Sequence, residues 1–179
     1  DYDLVIANGR VVDPETGLDV IRHLGINAVT IKSISSKPLM GANTVNAKCL
    51  VVAPGFIDIH SHTPTKLGQR MNLLDGVTTQ LDMEAGSFPI SFFGQDYKDG
   101  ALLNYGASVA HYAVRSKVME NLKTEYLFGS TDPFRMDGKS WTTPANKEQI
   151  QAMRVMINQG IDEGGLGIGL LLDYLTSAV

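Results

Sequence analysis

Beyond Pro54-Gly55, apolar runs of strand length alternate with helical stretches, and this alternation constrains the fold more than any other feature of the chain. A strand followed by a helix returns to pair in parallel, so the pattern predicts βα units around a parallel sheet. Four strands are expected, at residues 56–59, 78–83, 105–110 and 166–172. The clearest helix lies between the last two. Thr143 can cap it, Pro144 suits its first turn, and Ile150, Met153, Met156, Ile157 and Ile161 recur at helical spacing. Gly164-Gly165 would end it. The stretch 128–142, with Gly, Ser, Asp, Pro and the single Trp, reads as a long surface loop.

Residues 1–53 have a different texture. Leu4-Val5-Ile6-Ala7 and Arg10-Val11-Val12 flank the turn pair Asn8-Gly9, and Asp13-Pro14-Glu15-Thr16-Gly17 supplies a second turn. Further β-branched stretches follow at Ala28-Val29-Thr30-Ile31 and Leu50-Val51-Val52-Ala53. The expected organisation is a small β-rich portion over 1–53 and a βα portion over 54–179.

The chain has 179 residues, 44% of them hydrophobic and 19% charged, which is ordinary for a globular domain with a real core. Its formal charge of -4 contains no block of like charges, which argues against nucleic acid or an anionic membrane as partners. Cys49 is the single cysteine, so neither an internal disulfide framework nor a cysteine-cluster zinc site is available; it reads as a small structural residue. No run reaches the roughly 18 to 20 apolar residues of a membrane helix. No basic and apolar leader opens the sequence, and it begins at Asp1 rather than Met, so the native start is expected to have been removed. The compartment stays open, with the cytoplasm as default and the periplasm as an alternative.

Chemistry concentrates at strand ends. His60 and His62 stand two apart after an apolar strand, so both imidazoles project from one face and can converge on one ion. Imidazole suits zinc and neighbouring transition metals. The spacing alone is a weak signal and also fits two partly exposed strand-end histidines. The full string Pro54-Gly55-Phe56-Ile57-Asp58-Ile59-His60-Ser61-His62, following Leu50-Val51-Val52-Ala53, resembles the first barrel strand of the amidohydrolase superfamily. That resemblance implies the first half of a (β/α)8 barrel beside a small N-terminal β-sandwich portion, a site for one or two divalent ions, zinc being the expected metal, and hydrolysis of amide-like bonds. Asp58 shares the face of the two histidines and can either orient a ligand or make a structural hydrogen bond.

The second strand narrows the branch. Gly76-Val77-Thr78-Thr79, followed by Glu84 and Gly86, is similar to the N-acyl-D-amino-acid deacylase branch, in which a cysteine or acidic residue here binds the metal. The resemblance makes Glu84 the third ligand, with Asp82 as the alternative. Hydantoinases and dihydroorotases use a carbamylated lysine from the fourth strand, and Leu166-Gly167-Ile168-Gly169-Leu170-Leu171-Leu172-Asp173-Tyr174 contains none. Glu163-Gly164-Gly165-Leu166-Gly167 with downstream Tyr174 also resembles the deacylases, as does Val109-Ala110-His111-Tyr112-Ala113-Val114-Arg115, where Ala110 replaces the usual glycine. By resemblance, His111 and Tyr174 face the substrate; a hydrogen-bonded strand-end histidine is the alternative for His111. Arg115 is expected to pack or cap at the next helix. His23, without a partner motif, reads as a surface residue.

The same resemblance implies an N-acyl amino acid as substrate and places two more histidines and the general-base aspartate beyond Val179. No catalytic base is identifiable within the chain, and four strands of an eight-stranded barrel imply a polypeptide inactive by itself. The rest of the barrel would come from the same or another chain, and self-association is compatible with this reading. The alternatives are a cyclic-amide hydrolase of the dihydropyrimidinase or hydantoinase kind and a non-catalytic half-barrel serving as a binding module.

Overall fold

The structure, a computed structural model, describes residues 1–97, 99–125 and 137–174. The chain divides into two compact units, Asp1–Pro54 and Gly55–Val179.

The first unit is a five-stranded sheet of β1 (Tyr2–Asp13), β2 (Leu18–Asn27), β3 (Thr30–Ser35), β4 (Gly41–Asn46) and β5 (Val51–Val52). β1 is central, antiparallel to β2 and parallel to β4 and β5. The pair Asn8-Gly9 does not turn the chain. β1 runs through it, the register slips between Ile6 and Gly9, and Asn8 takes φ 64°, which makes a bulge. Asparagine tolerates the left-handed region in either setting, and pairing on both edges of β1 carries the strand through it. The hairpin turn follows Asp13, whose carboxylate accepts from the Glu15 N–H at 3.1 Å and the Thr16 hydroxyl at 2.5 Å. Ala28-Val29, expected within a strand, is the turn between β2 and β3, with Ala28 at φ 52°. β2 and β4 occupy stretches whose mixed composition does not announce them.

Two residue readings also change. Cys49 is exposed at φ 66° and packs in no core. His23 is half-buried on β2 with its Nδ1 enclosed and unpaired, so it is not a surface residue. Val5, Val11, Leu24 and Ala47 form the buried centre of this unit.

In the second unit, β6 (Phe56–Asp58), β7 (Val77–Ser87), β8 (Asn104–Ala110) and β9 (Ile168–Gly169) lie parallel and in sequence order. The first link is α1 (Lys66–Leu74); the last carries α2 (His111–Glu120), α3 (Lys139–Thr142) and α4 (Lys147–Asp162). The second link has two short 3-10 turns. Consecutive parallel strands joined by helices are the repeating unit of a (β/α)8 barrel. β9 is shorter than the expected 166–172, although Leu166 N–H still reaches Ala107 O at 2.9 Å.

Residues 126–136, most of the expected loop, lie outside the described residues. Its end is not surface loop: α3 buries Trp141 against Tyr112, with ring centroids 5.8 Å apart. Arg115 holds this segment from below, donating from Nε to Ser140 O at 2.7 Å and from Nη2 to Thr143 O at 2.9 Å. The cap of α4 is Asn146 rather than Thr143. Asn146 Oδ1 accepts from Gln149 N–H at 2.8 Å, and Gln149 Oε1 accepts from Asn146 N–H at 2.9 Å. Gly164, at φ 106°, follows the helix end as the sequence predicts. Met153, Met156 and Ile157 pack on the core of Val109, Ala110, Tyr112, Val114 and Trp141, whereas Ile150 and Ile161 remain exposed.

Candidate metal centre

Two strand ends supply the site. His60 and His62 follow β6, and Glu84 stands late in β7. Parallel pairing of β6 with β7 brings these ends side by side, at the C-terminal edge where barrel enzymes place their chemistry. Past the ladder, His60 makes an isolated bridge with Asp82, Ser61 N–H bonds Leu81 O at 3.0 Å, and Met83 N–H reaches Ile59 O at 3.3 Å.

Glu84 owes its position to an irregularity in β7. Asp82 pairs with Ala107 and Ser87 with Val109, so β7 carries more residues than β8 across this interval and the surplus bulges out. Gly86 permits it: its φ is 72°, and a Cβ there would collide with the Ser108 carbonyl. The Ser108 hydroxyl ties down the bulge, donating to Met83 O at 3.0 Å.

The donor atoms converge. Glu84 Oε2 lies 3.0 Å from His60 Nε2 and 3.1 Å from His62 Nε2, and the ligand atoms of the three residues all fall within 4.8 Å of one another. Four ligands at roughly 2.0 to 2.1 Å from zinc would stand about 3.3 Å apart, so the two carboxylate–imidazole spacings fit a tetrahedral edge. Two imidazoles and a carboxylate are also the donor chemistry that zinc and its neighbours accept. The side chains that fit a divalent ion are therefore His60, His62 and Glu84.

Asp82 completes the arrangement from behind. It is 1% exposed, and its Oδ2 sits 3.1 Å from His62 Nδ1. Its Oδ1 accepts from Ala85 N–H at 3.1 Å and Gly86 N–H at 2.9 Å, which satisfies a carboxylate held away from water. With the ring proton on Nδ1 facing Asp82, His62 Nε2 would offer its lone pair to an ion that it shares with Glu84. Asp82 therefore serves the role suggested for Asp58, whose Oδ1 instead accepts from the His60 backbone N–H at 3.0 Å. The sequence signal for this was the spacing of Asp82 two before Glu84.

The remaining candidates lie at neighbouring strand ends. Tyr174, exposed, lines a shallow cleft of about 130 Å³ with Glu84 and residues 170–173. His111 opens α2 directly after β8, outside the three-residue donor group. Its Nδ1 is buried and unpaired, and burial, with a smaller contribution from the Arg115 charge, holds the imidazole below its ordinary pKa.

The chain aligns over 93% of its length with D-aminoacylase of Alcaligenes xylosoxydans xylosoxydans, at 28% identity over 199 residues, and spans 37% of that enzyme. The chain is thus similar to D-aminoacylase over nearly all of its length. Solved structures of D-aminoacylase, an amidohydrolase with a binuclear metal centre, match 100% of the chain with a TM-score of 0.72 and 18% identity; the chain spans 41% of theirs. The fold of the chain is thus the mixed α/β fold of the matching part of those structures. A second alignment, with dihydroorotase of Streptococcus pneumoniae serotype 4 (strain ATCC BAA-334 / TIGR4), reaches 47% identity over 60 residues, 33% of this chain and 14% of that enzyme. No family model matches the chain.

Proposed function

We propose that the chain supplies the metal-holding part of an amide hydrolase acting on N-acyl-D-amino acids. The observation that carries this reading is the convergence of His60 Nε2, His62 Nε2 and Glu84 Oε2 at the C-terminal edge of parallel strands. A divalent ion, with zinc favoured by the donor set, supplies Lewis acidity when bound, polarising a carbonyl and acidifying water. The chain's own residues do the rest of what can be assigned. His60, His62 and Glu84 hold the ion, Asp82 fixes the ring of His62, and Tyr174 offers a phenol on the cleft that Glu84 shares. His111, kept neutral by burial, is suited to hydrogen-bond a substrate without adding charge.

The D-aminoacylase alignment extends over 93% of the chain and the dihydroorotase alignment over 33%, which favours a linear N-acyl substrate over a cyclic amide. The high local identity to dihydroorotase keeps ring-opening hydrolysis as the second reading. Metal content after dialysis against zinc tests the site. Near-stoichiometric metal in the parent and its loss in His60→Ala and Glu84→Ala are expected, and equal metal in all three would overturn the assignment. With the rest of the barrel present, release of free amino acid from N-acyl-D-amino acids, assayed beside opening of a dihydropyrimidine ring, separates the two substrates.

A further inference from the structure

The segment that carries the two histidines is gripped by amide side chains that neither the donor set nor the substrate cleft uses. Gln80, fully buried in the middle of β7, donates from Nε2 to the backbone O of Thr63 at 2.9 Å. Its Oε1 accepts from Asn72 Nδ2 on α1 at 3.0 Å. The same Asn72 nitrogen reaches Ser61 Oγ at 3.2 Å and Thr63 Oγ1 at 3.3 Å, and those two hydroxyls lie 3.0 Å from each other. Ser61 and Thr63 flank His62 on either side. One amide therefore holds both neighbours of a metal-ligand candidate, and a second, buried amide holds that amide and the backbone after it.

An independent feature brings α1 close enough for this. A Cβ on Gly68 would lie 2.6 Å from both the Cβ and the carbonyl oxygen of Thr63, so only glycine lets the first turn of the helix sit against the segment. Thr65 caps that helix, its Oγ1 accepting from Gly68 N–H at 3.0 Å, and its own N–H bonds Thr63 O at 2.8 Å. Thr63 O thus accepts from Gln80 and Thr65 together. On the other side of His62, Ser61 N–H is fixed to β7 through Leu81 O at 3.0 Å.

A histidine on an exposed strand end has free rotamers and a mobile backbone, and ordering it on binding lowers affinity. Residues that orient metal ligands influence affinity almost as much as the ligands do. We propose that Asn72 and Gln80 are positioning residues which, by clamping residues 61–63 between β7 and α1, preset His60 and His62 for a divalent ion. The proposal rests on the metal-site reading above and adds the part of the chain that sets the affinity and geometry of the site. A fully buried glutamine is otherwise costly, and its partners here all lead to the histidine segment.

Cobalt(II) titration of the 179-residue chain, followed by its visible absorption bands, with zinc affinity from competition, tests this. Asn72→Leu and Gln80→Leu keep approximate shape and remove the amides; Thr63→Val, at an exposed position, removes one acceptor and secures a folded variant if the buried changes do not. The expected result is a loss of roughly 10- to 100-fold in affinity for the amide variants, a smaller loss for Thr63→Val, and cobalt bands altered in position or intensity. A purely structural role would lower the thermal midpoint of the metal-free chain and leave the bands and affinity of the folded variant as in the parent, and that outcome overturns the proposal. His60→Ala and Glu84→Ala are run beside them. A parent whose cobalt spectrum ignores those two substitutions sinks the metal-site reading and the clamp with it, whereas a parent that responds to them but not to Asn72, Gln80 or Thr63 sinks the clamp alone.

Discussion

At the scale of single residues, the decisive feature is a histidine with a carboxylate on each ring nitrogen. His62 faces Glu84 through Nε2 and Asp82 through Nδ1, both at 3.1 Å. Of these two carboxylates Glu84 is the one placed to share an ion with His60; Asp82 is buried and engaged with two backbone N–H groups. Asp82→Asn preserves volume but offers an amide where His62 Nδ1–H needs an acceptor. It is expected to weaken zinc about 10-fold or more while Glu84 and His60 stay in place, measured by chelator competition; unchanged affinity would remove Asp82 from the site. His111 makes a separate prediction. Its folded pKa is depressed by burial, so below the ordinary value of about 6.5 the unfolded chain takes up a proton that the folded chain resists. Stability is full above that value and falls as the pH drops from there toward the folded pKa. The thermal midpoint of the parent should therefore decline between about pH 7 and pH 5 more steeply than that of His111→Gln, and superimposable curves would contradict the assignment.

At the scale of elements, irregularities place the chemistry. A regular β7 would continue its pairing on β8 past Asp82; the bulge, tolerated by Gly86 and tied by Ser108, instead sends Glu84 toward β6. α4 behaves conventionally once its start is located. Asn146 and Gln149 satisfy one another's backbone N–H groups, a reciprocal pair that Thr143 and Pro144 cannot make from three residues upstream. Asn146→Ala should cost about 1 kcal/mol of stability in chemical denaturation, with Thr143→Ala well below that. The reverse order would return the cap to Thr143.

At the scale of the whole molecule, the metal-ligand candidates all belong to the unit Gly55–Val179, and Asp1–Pro54 contributes none of them. Binding to the folded state alone stabilises it by mass action, by about 2.7 kcal/mol at 100 times the dissociation constant. Hydrogen exchange with and without zinc should therefore show slower exchange in β6, the start of α1 and β7, with β1 and β2 unchanged. Protection gained equally in both units, or retained in His60→Ala, would argue against the site. Among the described residues no helix is long and apolar enough to cross a membrane.

Much of this is local information and was readable without a structure. Strand and helix alternate because apolar period and turn residues are written within each segment, so β6, β7, β8 and α4 stand close to where the pattern puts them. His60 and His62 share a face for the same reason: a spacing of two is enough. Asn8-Gly9 reads as a turn and is a bulge because a left-handed residue serves either, and pairing with distant strands chooses between them; Ala28-Val29 reads as strand from its β-branched neighbours, and the pairing of β2 with β3 makes it their turn. The end of the long loop was misread because burial of Trp141 depends on Tyr112 and Arg115, which lie far from it in sequence. In the site, the sequence by itself determined which residue types could hold an ion. Only the tertiary structure decided that Asp82 rather than Asp58 backs His62, and that Asn72 and Gln80 grip the segment between them. Side chains many residues apart acquire a distance only when parallel strands and the helix between them pack, and hydrogen-bond partnership is a property of that distance.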